Sequence, residues 1–229
     1  MKMLRKTICA ATLGVAILSP VVSTTVFAAT AATEQQATQN LVKQLTGLQS
    51  LTATFEQTTK ANGKPAVKKT LTAQHLNQTF KGVMKVERPG KFFWETSSPS
   101  KQTIVTTGQT VWIYDPDLQQ AVRQSLSDQV ANTPALLLSG NTSQIMQSYR
   151  VSQPDRSKTY YTLTPKAKDS AFQDLTISFG ANGTPTLMIL NDSLGQTTTV
   201  RFSQASKNVK IAASTFNFTP PKGTDVIDQ

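Results

Sequence analysis

Between Gly82 and Pro116 apolar and polar positions alternate, through residues 83–86, 92–96 and 103–105, with the period of a strand that buries one face. Pro89-Gly90 and Thr107-Gly108 supply turn residues between these runs. Both tryptophans of the chain, Trp94 and Trp112, fall in this stretch beside Phe92, Phe93 and Tyr114. The pattern predicts a series of hairpins with a large apolar inner face. The same period recurs at residues 51–55 and 118–125, and again at 160–164, 175–179, 187–190 and 197–202, with a hairpin turn at Ala181-Asn182-Gly183. Ala61-Asn62-Gly63-Lys64-Pro65 reads as a loop, and successive antiparallel strands are expected from Lys69 to Tyr114.

Three segments break the alternation. Thr33-Glu34-Gln35-Gln36 is a capping box, and Ala37, Leu41, Leu45 and Leu48 follow as one stripe of an amphipathic helix ending near Gly47. Thr133 as N-cap and Pro134 at the first helical position predict a short helix over Ala135, Leu136, Leu137 and Leu138, stopped at Ser139-Gly140. Asn141-Thr142 starts another, carrying Ile145 and Met146. Three thin helices among so many strands have to cover a face of the sheet. The expected fold is therefore mainly β: a strongly bent antiparallel sheet with the helices across its mouth. An apolar helix stripe opposite an apolar sheet face suggests a hydrophobic cavity, for which Leu41, Leu45, Phe55, Phe92, Trp94, Trp112, Leu136, Leu137, Ile145 and Met146 are the candidate lining. Taken singly, each of these is better read as a core residue, because core is where most such residues go. Trp112 and Tyr114 face one way from their strand and Val111 and Ile113 the other.

Residues 1–28 have the form of a secretory leader. Lys2, Arg5 and Lys6 precede an apolar run over 8–22, and Val26-Phe27-Ala28 is a small-residue cleavage pattern. The run is too short to span a bilayer, which takes about 20 apolar residues. Cleavage after Ala28 leaves a single expected domain, 29–229, outside the inner membrane and without the sole cysteine, Cys9. Lys6-Thr7-Ile8-Cys9 lacks the small residue that precedes a lipidated cysteine, so no membrane anchor is expected. The leader holds three basic and no acidic residues, so the net charge of +10 falls to +7 on its removal. Export and the scatter of Lys60, Lys64, Lys68, Lys69, Lys81, Lys85, Lys91 and Lys101 argue against nucleic acid as a partner.

Catalysis finds little support. The one histidine, His75, sits in an alternating Gln74-His75-Leu76 context, and one histidine without cysteine makes neither a Cys/His pair nor the usual zinc ligand set. Asp115 and Asp117 flank Pro116 as turn formers. No glycine-rich phosphate loop is present. Elimination leaves a binding protein with no metal and no cofactor. Arg88 is the odd residue in that setting, because a fixed charge at the rim of an apolar sheet needs acceptors.

Arg88-Pro89-Gly90-Lys91-Phe92-x-Trp94, Pro99, Gly108-x-x-Val111-Trp112-x-Tyr114-Asp115-Pro116, Asn132-Thr133-Pro134, Leu163-Thr164-Pro165-Lys166 and Phe216-x-Phe218-x-Pro220-Pro221-x-Gly223 occur in this order. The series resembles the periplasmic outer-membrane lipoprotein carriers of the Lol pathway, the LolA family, over nearly the whole mature chain. The resemblance implies an unclosed antiparallel β-barrel of about eleven strands with a helical lid of three helices over a hydrophobic cavity. It further implies a periplasmic, monomeric carrier that takes triacylated lipoproteins from an inner-membrane ABC transporter to an outer-membrane acceptor. The family's lid arginine matches Arg88, which implies a latch donating to lid carbonyls; the residue alone is as well read as a strand end in a surface salt bridge. Lys85 departs from the apolar or aromatic residue usual in relatives, so an altered cavity rim is expected. A sensor of the same fold and, more remotely, an exported hydrolase are the alternatives.

Overall fold

A computed structural model of the chain describes residues 25–62, 77–107, 110–125 and 134–229. Helix α1 (Thr25–Thr46) leads into β1 (Ser50–Ala61), and a meander follows: β2 (Thr79–Glu87), β3 (Lys91–Ser98), β4 (Gln102–Thr107), β5 (Thr110–Asp115) and β6 (Gln120–Ser125). After a 3-10 turn (Pro134–Leu138) and α2 (Thr142–Ser148), a second meander runs through β7 (Tyr149–Ser152), β8 (Tyr160–Pro165), β9 (Phe172–Phe179), β10 (Pro185–Asp192) and β11 (Gln196–Lys207). A second 3-10 turn (Ala213–Phe216) and β12 (Asp225–Asp228) close the chain.

All twelve strands form one sheet in the order β12-β6-β5-β4-β3-β2-β1-β11-β10-β9-β8-β7. The long β1–β11 pair, running from Leu51 opposite Lys207 to Ala61 opposite Gln196, joins the two meanders. The outermost strands, β12 and β7, lie at opposite ends of the order, so the sheet is open. Two differences from expectation concern this sheet. Among the described residues there are twelve strands rather than about eleven, and β12 pairs parallel to β6 from Asp225 opposite Gln120, so the sheet is not wholly antiparallel. β7 and β12 are four residues each, too short for a period-two pattern to stand out.

The helices differ too. The described residues hold two α-helices, and the apolar segment at Pro134–Leu138 is a single 3-10 turn rather than a third. Thr33 is not a helix start, since α1 begins at Thr25 and passes through position 28 and the capping box without a break. Alanine-rich sequence before Thr33 favours helix, and a cap acts only where the helix ends. Asn141 does cap α2, its side chain accepting from the Ser143 amide at 2.8 Å. The leader residues before Thr25, Gly63, Lys64, Pro65, positions 69–76 with His75, Gly108, and the Thr133 cap lie outside the described residues. No helix among those described is long and apolar enough to cross a membrane.

One apolar face of the sheet packs against α1 and the 3-10 turn in a single core. Leu41 and Leu45 from α1, with Leu48 just past its end, meet Leu51, Ala53 and Phe55 of β1, Met84 and Val86 of β2, and the inward residues of β8 to β11 such as Leu163, Ile177, Met188 and Val200. Gly82 shows how tightly this face is made. It lies opposite Phe55 in the β1–β2 ladder, and with no side chain there the Phe55 ring crosses β2 to stack on Trp94 of β3, ring centres 3.5 Å apart and 18° from parallel. A Cβ on Gly82 stands 1.9 Å from the Glu95 carbonyl oxygen and 2.8 Å from the Phe55 ring. Backbone, not a movable side-chain tip, blocks it. Gly82→Ala therefore forces β2 and β3 apart, and the expected loss is about 3 kcal/mol, the upper range for overpacking. Chemical denaturation of the two proteins measures it; a loss under about 0.5 kcal/mol shows that the strands separate freely here.

Candidate functional site

The turn between β2 and β3 meets the end of the Pro134–Leu138 turn, the segment expected to be a lid, and the contact is made of hydrogen bonds to three consecutive carbonyls. Arg88 Nη1 donates to Leu138 O at 2.9 Å. The Gly90 amide donates to Ser139 O at 2.8 Å. Arg88 Nη2 donates to Gly140 O at 2.5 Å. A 3-10 turn leaves its last carbonyls without partners of its own, so an outside donor has to meet them where they are buried. The guanidinium fork spans two, and the amide between them takes the third.

The turn is shaped for this. Gly90 has φ +76°, a region that favours glycine, and this directs its amide at the lid. Its own carbonyl accepts from Thr106 Oγ1 at 2.7 Å, and Thr106 Oγ1 accepts in turn from the Phe92 amide at 2.9 Å, which ties the turn to β4. Burial lowers the Arg88 pKa from its ordinary value, yet arginine stays protonated in proteins. Both of its side-chain acceptors are main-chain carbonyls rather than carboxylates. The neighbouring cation Lys91 does pair with an acid, Glu87.

Beneath this contact, Pro134, Ala135, Leu136, Leu137 and Leu138 are all buried. Of the ten residues proposed to line a cavity, Leu41, Leu45, Phe55, Phe92, Trp94, Leu136, Leu137 and Ile145 come together in one cluster, none more than 8% exposed. They pack on one another and on the Pro134–Leu138 turn, so the described residues form a filled apolar core at this place rather than an open cavity. Met146 does not join them; it points outward from α2 at 42% exposure. Trp112 lies on the opposite face of the sheet, where Phe218 covers it and Tyr114 at ring-centre distances of 5.6 and 5.5 Å.

Lys85 is also on that outer face. It pairs across with Phe93, its ammonium 5.5 Å from the ring centre, while its neighbours Met84 and Val86 point into the core. The expected change to the cavity rim is therefore misplaced: a lysine on the outer face does not touch the lid. The chain after β11 forms a strap across this outer face, with the 3-10 turn and its buried Phe216 packed on β3 and β4. Val105, opposite in sense to Ile104 on the same strand, is buried there although it is absent from the inner core. The strap ends in β12, fastened to β6 by a fork of bonds from Arg123 Nε and Nη2 to the two Asp228 oxygens at 2.6 and 2.8 Å. Sequence reasoning missed both the Gly90 amide and the strap. Phe216-x-Phe218 was the available sign, since two aromatics at period two outside any predicted strand need a surface to cover.

Residues 46–219 match the family described as "Outer membrane lipoprotein carrier protein LolA". An outer-membrane lipoprotein carrier protein of Hahella chejuensis is 43% identical over 186 residues, 80% of this chain and 84% of that one. Another, from Pseudomonas entomophila, is 40% identical over 204 residues, 88% of this chain and 93% of its own length. Among solved structures, a DUF1329 family protein from Desulfovibrio piger aligns with TM-score 0.50 and 12% identity over 81% of this chain and 97% of that chain, a likeness of fold alone.

The strap yields a pH test. The hydrogen bond and then the charge of Arg123 hold the Asp228 carboxyl below its ordinary value. A depressed carboxyl stabilises the folded form above the unfolded value, about 3.9, and that contribution is lost as pH falls through the lower folded value. Hydrogen exchange at Val226 and Ile227, corrected for intrinsic rates, is expected to stay level from neutrality to about pH 4 and to quicken below it. In Asp228→Asn it is fast throughout. Equal protection in the two proteins at neutral pH assigns the hold on β12 to its backbone ladder alone.

Proposed function

The chain belongs to the LolA family of outer membrane lipoprotein carrier proteins, and from that membership we propose that it shields the acyl chains of outer-membrane lipoproteins under the lid and ferries them across the periplasm. The observation that carries the proposal is a lid of buried leucines held over a continuous apolar sheet face by three hydrogen bonds from one turn. An acyl chain in water costs about 0.8 kcal/mol per CH₂, on the order of 10 kcal/mol for a long one, so it does not travel bare. The lid leucines each gain roughly 1.5–3 kcal/mol from burial. That gain is not specific to the closed state, because an acyl chain offers the same apolar contact. The hydrogen bonds are specific to it. At roughly 1.5–3 kcal/mol for a bond to a charged donor, they set the difference between the empty, closed form and the loaded, open one.

In this scheme an inner-membrane ABC transporter supplies triacylated lipoproteins and an outer-membrane acceptor receives them. The leader over 1–28 directs export, and the mature domain works unanchored. Arg88→Leu keeps an apolar stem but removes both guanidinium bonds, leaving the carbonyls of Leu138 and Gly140 to find water. The variant is expected to bind more of an apolar fluorescent dye when empty, to take up lipoprotein from transporter-bearing vesicles with ATP at least as well as the unaltered protein, and to hand it on poorly. Unchanged dye binding with normal handover removes Arg88 from the function. Release of lipoprotein that does not depend on the protein or on the transporter refutes the carrier role itself.

The two tryptophans give an independent check, being on opposite faces of the sheet. A brominated acyl ligand is expected to quench Trp94 in the Trp112→Phe protein and to leave Trp112 bright in the Trp94→Phe protein. Quenching of Trp112 alone places the acyl chain under the strap, not under the lid.

A further inference from the structure

The latch turn is held from behind as well as by the lid. The amide of Arg88 donates to Gln49 O at 2.8 Å, and Gln49 lies in the short connection between α1 and β1. That connection is gripped by Asn208, just past the end of β11. Asn208 Oδ1 accepts from the Gln49 amide at 2.9 Å, and Asn208 Nδ2 donates to Gly47 O at 3.1 Å. The Asn208 amide donates to Ser50 O at 2.8 Å, and Ser50 Oγ donates to Val209 O at 2.5 Å. Only one orientation of the side-chain amide serves both an N–H and a carbonyl, so these partners also fix which way it points. Asn208 sits at φ +58°, which asparagine tolerates better than most residues.

The grip completes the end of α1. Lys43 O accepts from the Gly47 amide, Leu45 O from the Leu48 amide, Thr46 O from Gln49 Nε2, and Gly47 O from Asn208. Gln49 is thereby placed between helix end and strand, and its carbonyl is what the first residue of the latch hangs on. None of the hydrogen bonds of Asn208 goes to the lid. A displacement of Arg88 by about 1 Å takes its bonds beyond useful length, because attraction falls away past about 3.2 Å.

From this we infer that Asn208 is a positioning residue for the latch: by fixing Gln49 it sets the reach of the Arg88 guanidinium to the carbonyls of Leu138 and Gly140. The inference rests on Arg88 acting as the latch. It also joins α1, which carries Leu41 and Leu45 of the inner core, to the turn that holds the lid, so loosening the end of α1 loosens the latch.

The test is a double-mutant cycle on the mature protein without cargo, using Arg88→Leu, Asn208→Gly and the pair, with anilinonaphthalene sulfonate as the dye. Glycine accepts the backbone angle, so the substitution removes the side chain without adding strain. Asn208→Gly alone is expected to raise dye binding about three-fold or more, the effect of losing one ordinary hydrogen bond or better. In the Arg88→Leu background it adds nothing, since there is no guanidinium left to place. Protection of the Gly90 amide, which reports the lid contact without involving the Arg88 side chain, falls in Asn208→Gly. Asn208→Asp, which keeps the acceptor for Gln49 but not the donor to Gly47, restores part of both. If Asn208→Gly leaves dye binding and Gly90 protection unchanged, or if its effect multiplies with that of Arg88→Leu, the inference is overturned while the latch stands. If Arg88→Leu has no effect on dye binding, the latch falls and the inference with it. Should the glycine variant fail to fold by far-ultraviolet circular dichroism, Asn208→Asp carries the same cycle.

Discussion

Three neighbouring carbonyls at the end of a buried 3-10 turn need donors, and one turn of the sheet supplies them. Most of what surrounds the lid can be traced to that need. Gly90 has to take a left-handed conformation to aim its amide, Thr106 has to hold Gly90 from the next hairpin, and Arg88 has to be set at the strand end where its fork reaches both outer carbonyls. The guanidinium is partly desolvated in the process, a cost visible in the direction of its pKa. In the proposed scheme its hydrogen bonds offset that cost only while the lid is closed, so the charge would favour one state of the lid and not the other.

The sheet is used on both faces, and the two uses are kept apart by strand alternation. Inward residues of β1 to β5 and β8 to β11 meet α1 and the lid; outward residues of β3 to β5 meet the strap. A one-residue shift in the register of β5 exchanges Val111 for Trp112 in the core. The bidentate Arg123–Asp228 pair and the Trp112–Phe218 contact resist that shift from outside, where exposed charge counts for less than the aromatic cover. The strap thus supports the inner face by holding the outer one in register.

How much of this the sequence discloses follows from which interactions are local. Period two and turn chemistry locate the long strands and the Ala181-Asn182-Gly183 hairpin, because each signal lies within a few residues of its effect. The helix stripe Ala37, Leu41, Leu45 and Leu48 is legible for the same reason, and all four residues are in the core. The start of α1 is not, since a capping box at Thr33 competes with helix-favouring residues before it. Eight cavity candidates cluster because apolar residues of alternating strands share a face, whereas Trp112 is assigned wrongly when alternation is read without its phase. Met146 is adjacent to Ile145 on a helix, and adjacent helical positions do not share a face. Asn208, β12 and the parallel pairing depend on partners more than 100 residues away, for example 159 for Gln49 and Asn208, and no local pattern announces them.

The filled inner core bears on how a carrier of this kind would let go of its load. If a preformed cavity waited for an acyl chain, binding would gain the full transfer free energy and release would be slow. In the proposed scheme the sites an acyl chain would occupy are already taken by Leu136, Leu137 and their partners, so entry would displace side chains that were themselves out of water. Apolar contact is exchanged rather than created, and the net gain is the transfer free energy less the closure free energy of the lid. A lid that closes well therefore lowers affinity for cargo and lowers the barrier to handover together. Three hydrogen bonds, directional and few, are a means of setting that closure free energy within a few kcal/mol without altering the apolar face the cargo uses.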